Sequence, residues 1–189
     1  MFIGGGQFAL GMIVAEAVYP SYSVSQNYIS DLGVGPADSI FNSSVFLLGL
    51  LTLVAAYFIQ RTFGSRILSV MLVLAGVGAM GVGVFPENSP LMHEIVSDIA
   101  FIFAGLAPLA ALKVVKKPFT YFSVVMGLLS LSALVLLSAE YSFGLGEQFF
   151  LGLGAGGMER MIVYPVLLWE TALGGYLMSS SQALSRSKV

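Results

Sequence analysis

Residues 67–84 read ILSVMLVLAGVGAMGVGV, a run with no charged side chain. Two incompatible folds can be read into it. Gly76, Gly78 and Gly81 have the G-x-G-x-x-G spacing of a dinucleotide-binding turn, which needs a preceding strand and a βαβ unit around it. The alternative is a membrane helix, because about 20 consecutive apolar residues cross a bilayer core. No strand or βαβ frame surrounds these glycines, so the stretch reads as a helix. Ala75, Ala79 and Gly83 then recur every fourth position, a small-residue ladder that lets helices approach closely in lipid.

The rest of the chain follows from that reading. Of its 189 residues, 57% are hydrophobic and 10% are charged, with a mean hydropathy of +0.92. Soluble domains carry about 25% charged residues, so this chain cannot cover a water-facing surface. Apolar runs fall at about 2–19, 40–60, 67–84, 92–112, 119–138 and 158–178. They predict an all-α, six-transmembrane-helix bundle forming a single integral membrane domain over 1–189. Helices are required because every backbone amide in lipid needs an internal partner. The first run has no basic segment before it and reads as a retained span rather than a cleaved signal. The chain has no cysteine, which excludes disulfides and thiolate metal sites.

Lys and Arg set the orientation. Arg61, Arg66, Lys113, Lys116, Lys117, Arg186 and Lys188 all lie on one side of a six-span topology, with no acid among them. The other side holds Asp31, Asp38, Glu87, Glu94, Asp98, Glu140, Glu147 and Glu159, with Arg160 as its one base. Both termini are therefore expected to be cytoplasmic, in the plasma membrane, with the acidic side outward. Glu16 and Glu170 fall within spans.

Three outward segments hold the groups that can carry chemistry. In the first, Ser30 and Asp31 precede a Gly-x-Gly-Pro turn. Asp31 serves there either as a turn-forming acceptor or as an acid/base group, with Ser30 a conceivable nucleophile. In the second, Ser89-Pro90 marks a helix start and places the lone His93 in the first turns. Ser97 lies one turn deeper on the same side, and Asp98 reaches about 7 Å further in than His93. His93 is either an interfacial hydrogen-bonder or a general acid/base oriented by Asp31 or Glu87. In the third, Gly156 and Gly157 lead into Glu159 and Arg160. Free amides at a helix start, with a guanidinium, suit an anion; equally, Arg160 can pair with Glu159, Glu87 or another acid. Glu170 shares a face with Glu159 and lies inside the bilayer, where an acid is either functional or a hydrogen-bonder to a neighbouring helix. Pro165 is expected to kink the last helix. One histidine is too few for an ordinary zinc site. Neither a metal nor a cofactor is predicted, although the outward acids leave an oxygen-rich calcium or magnesium site open.

Three segments carry a resemblance: YISDLGVGPADSIFN (28–42), GVFPENSPLMHEIVSDIAFIFAG (83–105) and GGMERMIVYPVLLWE (156–170). Together they resemble a prokaryotic six-span membrane protein family of unknown function, similar to the Frag/DRAM/Sfk superfamily. The I-S-D-x-G-x-x-P segment is the most specific of the three. The resemblance implies a six-helix bundle and a link to membrane lipids. Eukaryotic members of that superfamily are associated with GPI-anchor lipid remodelling, autophagy and plasma-membrane lipid asymmetry. Asp31, His93 and Glu159 are the positions the resemblance marks.

The expectation is thus a lipid-associated membrane protein with an acidic site on its outer face, as a hydrolase or transferase. Asp31, His93, Asp98, Ser30 and Glu159 would do acid/base work, and Arg160, Gly156, Gly157 and Glu87 would bind. The rival expectations are a non-catalytic scaffold or sensor, and an ion- or proton-coupled transporter using Glu16 and Glu170. Membrane lipids are the expected partners and a homo-oligomer is left open. No nucleic-acid partner is expected.

Overall fold

The computed structural model of the chain describes residues 1–144, 150 and 152–186, with side chains up to 179. Glu147, Lys188 and the side chain of Arg186, all used in the charge map, lie outside the described set. Among the described residues there are six long helices and no strand. They are α1 (Phe2–Val18), α2 (Asp38–Phe63), α3 (Arg66–Val84), α4 (Pro90–Ala110), α5 (Phe119–Phe143) and α6 (Gly154–Arg186). Short 3₁₀ turns add Ser30–Gly33 and Ala111–Lys113. Five of the helices are long and apolar enough to cross a membrane. The remaining one, α1, is apolar but only 17 residues long. The protein is a multi-pass membrane protein.

Helix ends sit a few residues outside the apolar runs, because helical hydrogen bonding continues into polar sequence. Thus α2 starts at Asp38 and α6 at Gly154. The fourth helix does begin at Ser89-Pro90, with proline in its first turn; the Ser89 side chain makes no capping bond. Pro165 is accommodated inside α6, which continues through it.

Each helix packs against its neighbours in sequence, and α6 returns to α1. The pairs run antiparallel: Gly49 meets Gly76 and Gly83 meets Asn42 across α2 and α3, while Gly5 meets Thr171 and Gly174 meets Phe2 across α1 and α6. As a result the segments at 19–37 and 85–89 and the start of α6 gather at one end. The basic links after α2 and α4 gather at the other.

Glycine sets the closest approaches. A Cβ on Gly49 would strike the Gly76 carbonyl and lie 2.7 Å from the Met80 amide. A Cβ on Gly78 would lie 2.8 Å from Cα of Ala100 on α4. The glycines of the dinucleotide-like pattern are therefore helix contacts. The ladder of Ala75, Ala79 and Gly83 divides: Gly83 abuts α2, whereas Ala75 and Ala79 line an internal cavity.

Gly49→Leu forces α2 off α3 at backbone atoms. Overpacking typically costs about 1–3 kcal/mol, and more where backbone must move. A clear fall in melting temperature in detergent is expected. Gly175→Ala, with nothing within 4 Å of the added carbon, should leave it unchanged or slightly raised. Equal melting temperatures for the two variants would contradict the close α2–α3 contact.

Candidate functional site

At the acidic end, the segment between α1 and α2 folds over the start of α6, and one guanidinium holds it there. Arg160 is 4% exposed and pairs with Glu16 of α1 at 2.7 Å. Nη2 also donates to the Tyr22 hydroxyl at 2.6 Å. Nη1 donates to the carbonyls of Val24 (2.9 Å), Asn27 (3.1 Å) and Gly156 (3.0 Å). Its plane lies over the Tyr22 ring, 5.5 Å from the centroid. Tyr22 in turn donates to the Tyr28 carbonyl at 2.8 Å. Burial pushes the Tyr22 phenol up to about 12, against the pull of Arg160, so it keeps the proton it donates.

Two further bonds fix the segment. The Ile29 amide donates to Glu159 Oε2, and the Gly156 amide donates to the Ser25 carbonyl at 3.0 Å. Gly154 opens α6 at φ +74°, and a Cβ there would strike the Ser25 carbonyl. Only glycine meets both demands. Gly154 and Gly156 thus dock a loop, and the Gly156 amide is taken by the Ser25 carbonyl. Arg160 likewise gives its guanidinium to Glu16 and the loop, the pairing alternative of the two sequence readings. The partner acid is Glu16.

The docked segment brings Ser30 and Asp31 beside Glu87 and His93. Burial raises the Glu87 carboxyl above its ordinary value, helped by the charge of Asp31 and opposed by the Ser30 hydroxyl and by His93. Asp31 Oδ2 accepts from the Asn27 side chain at 2.9 Å and the Tyr28 amide at 3.0 Å, so it shapes its own turn as well as facing Glu87. His93 Nδ1 lies 2.8 Å from the Phe85 carbonyl. A carbonyl can only accept, so Nδ1 carries the proton and Nε2 is left for acid–base work. Glu159, 5% exposed, lies near both Asp31 and Glu87.

Beneath this cluster a cavity of about 110 Å³ runs down between the helices. Ser30, Ile29 and Glu159 line its outer part, and Thr52, Trp169 and Glu170 its deep part. Its walls are apolar, with alanines at 75, 79, 100, 104 and 107. Glu170, 7% exposed, contacts the Thr52 hydroxyl at 2.6 Å, which also reaches the Leu48 carbonyl at 2.9 Å. Trp169 donates to Ser123 at 2.9 Å.

Asp98 does not join the cluster. Helix α4 turns Ser97, Ala100, Phe101 and Ala104 to the cavity, the i, i+3, i+4, i+7 stripe of one face. Asp98, about 100° round from Ser97, is exposed on the outside. Glu16 is held by Arg160 and does not line the cavity. Sequence reasoning missed Thr52 as the partner of Glu170, and Tyr22 altogether. Nothing local marks either one. Among the described residues, no group of three or more His, Asp or Glu has a metal-holding arrangement.

Among known families, the one described as "Protein of unknown function (DUF998)" matches residues 2–176. No curated protein and no solved structure matches the chain.

Two outcomes are expected at this end. Arg160→Met leaves Glu16, the Tyr22 hydroxyl and the two loop carbonyls of Val24 and Asn27 without their donor. Breaking a buried pair costs on the order of 3–5 kcal/mol, so limited proteolysis should cut within 19–37 where the native protein resists. Glu87 has its folded pKa raised above the ordinary 4.5. Its contribution to stability is complete below 4.5 and is lost as pH rises through the folded value. In Glu87→Gln, the fall of melting temperature with pH above 4.5 should be shallower than in the native protein.

Proposed function

The chain belongs to the DUF998 family of proteins of unknown function, and on that premise we propose that it takes up a membrane lipid at its acidic end. The lipid chain enters the cavity, and the headgroup meets Ser30, Asp31, Glu87, His93 and Glu159. The observation that carries this reading is the continuity between them: Ser30 and Glu159 belong both to the polar cluster and to the wall of an apolar cavity within a membrane protein. An apolar cavity stays dry and takes apolar ligands.

In this reading α1 completes a six-span bundle, both termini are cytoplasmic, and the cluster faces outward across the plasma membrane. The positive-inside distribution of Lys and Arg supports that orientation. The resemblance to the Frag/DRAM/Sfk superfamily supports the lipid link. The groups present suit hydrolysis or transfer of a lipid ester. His93 Nε2 acts as general base toward Ser30 or a water, and the carboxyls of Glu87 and Asp31 favour the imidazolium that results.

A second reading, an ion- or proton-coupled transporter, draws on Glu170, a buried acid on the same cavity. Glu16, paired with Arg160, has no place on that path.

His93→Ala, Asp31→Asn and the cavity-filling Ala104→Phe test the lipid reading. Lipid profiles of membranes expressing the native protein should differ from those of membranes lacking it, and each variant should return the profile to the latter. Profiles that do not respond to native or variant protein, with every variant folded, would remove the reading. A flux across liposomes that is lost in Glu170→Gln would favour the transporter instead.

A further inference from the structure

The cavity is apolar along its walls and carboxylic at both ends. Glu159 and Glu170 lie on the same face of α6, eleven residues apart, or about 16 Å along the axis. Both are more than nine-tenths buried. Each has one oxygen occupied, by the Ile29 amide and the Thr52 hydroxyl respectively. Among the described residues, no group hydrogen-bonds the second oxygen of either. Both carboxyls line the cavity, so a donor on a ligand lodged there can reach them.

The charges at the outer end decide what that ligand carries. Asp31 and Glu87 lie near enough to Glu159 for their charges to act on it, and Glu159 lines the cavity with Ser30. Arg160 is the one Lys or Arg at this end among the described residues, and its charge is matched by Glu16 at 2.7 Å. Among the described residues no Lys or Arg at this end is left for an anionic headgroup, which would meet three carboxyls at short range. The Arg160 phosphate site suggested by the sequence is thus replaced by its opposite. The volume limits the tail. About 110 Å³ is below the roughly 150 Å³ of an engineered cavity that holds one benzene. Two acyl chains cannot enter, and only the first few carbons of one slender unbranched chain fit within it.

We propose that the cavity binds a single-chain lipid with a cationic amine head, its chain between the helices and its amine at Glu159, Glu87 and Asp31. The proposal rests on the lipid reading above and narrows it to a substrate class. Phosphate-headed and two-chain lipids are excluded from the cavity by charge and by volume.

The test is titration of octylamine, octanol and octyl phosphate into the purified protein in neutral-lipid nanodiscs, with empty nanodiscs as reference. Saturable octylamine binding is expected, at least tenfold tighter than octyl phosphate. Ala104→Phe should abolish it. Glu159→Gln and Glu87→Gln should each weaken it severalfold, and Glu170→Gln should affect it less. Gln keeps an acceptor for the Ile29 amide, and melting curves confirm folding; Glu87, half-buried outside the helices, serves where Glu159→Gln does not fold. Octyl phosphate binding as tightly as octylamine would overturn the amine assignment and leave lipid uptake standing. Octylamine binding that ignores Glu159 and Glu87 but vanishes in Glu170→Gln would overturn the placement of the head. If none of the three binds, or Ala104→Phe changes nothing, both the proposal and the lipid reading fail.

Discussion

A single buried guanidinium organises the acidic end. Arg160 joins α6 to α1 through Glu16 and to the intervening segment through Tyr22, Val24 and Asn27. A charge at this depth is tolerable only when paired and hydrogen-bonded. Here the pairing has a structural consequence. It lays residues 19–37 across the end of the bundle, so that Ile29 meets Glu159 and Ser30 meets Glu87. Without that cover the cavity would open wide, and Ser30, Asp31 and His93 would not share a surface.

The cavity itself is a product of how residue size is distributed. Glycines at 49, 76, 78 and 83 bring α2, α3 and α4 into backbone contact on the outside of the lumen. Alanines at 75, 79, 100, 104 and 107 face inward and leave the space between the helices unfilled. Interiors normally pack to the density of organic crystals, so a lumen walled by small residues is a feature of the sequence and not an accident of helix geometry. Larger residues from α1, α2 and α6, among them Phe8, Phe41 and Leu167, keep its walls apolar.

Much of this was legible in the chain, for physical reasons that differ by feature. The helices follow from apolar run length alone, since a continuous apolar run of about 20 residues crosses lipid as a helix, and 67–84 is recovered within a residue at each end. The start of α4 follows from Ser89-Pro90, a local signal. Two site features were not legible. Asp98 sits at the right depth, but which face of α4 points inward depends on α3 and α6, and depth says nothing about direction. The role of Arg160 depends on Glu16, 144 positions away, and local sequence offered an anion site with equal force. Glu170 stood out as a buried acid, whereas its contact with Thr52 spans 118 positions and left no trace in the sequence.

The most direct measurement of the account is hydrogen–deuterium exchange over residues 19–37 and the first turn of α6 in lipid nanodiscs. The amides that should report docking are Ile29, bonded to Glu159, and Gly156, bonded to Ser25. In the native protein both should exchange as slowly as the outer turns of α6, and both should lose that protection in Arg160→Met while the membrane helices keep theirs. Exchange of the 19–37 amides at the rate of an unstructured peptide in the native protein would contradict the account. The cavity would then have no cover, and Ser30, Asp31, Glu87 and His93 no common site.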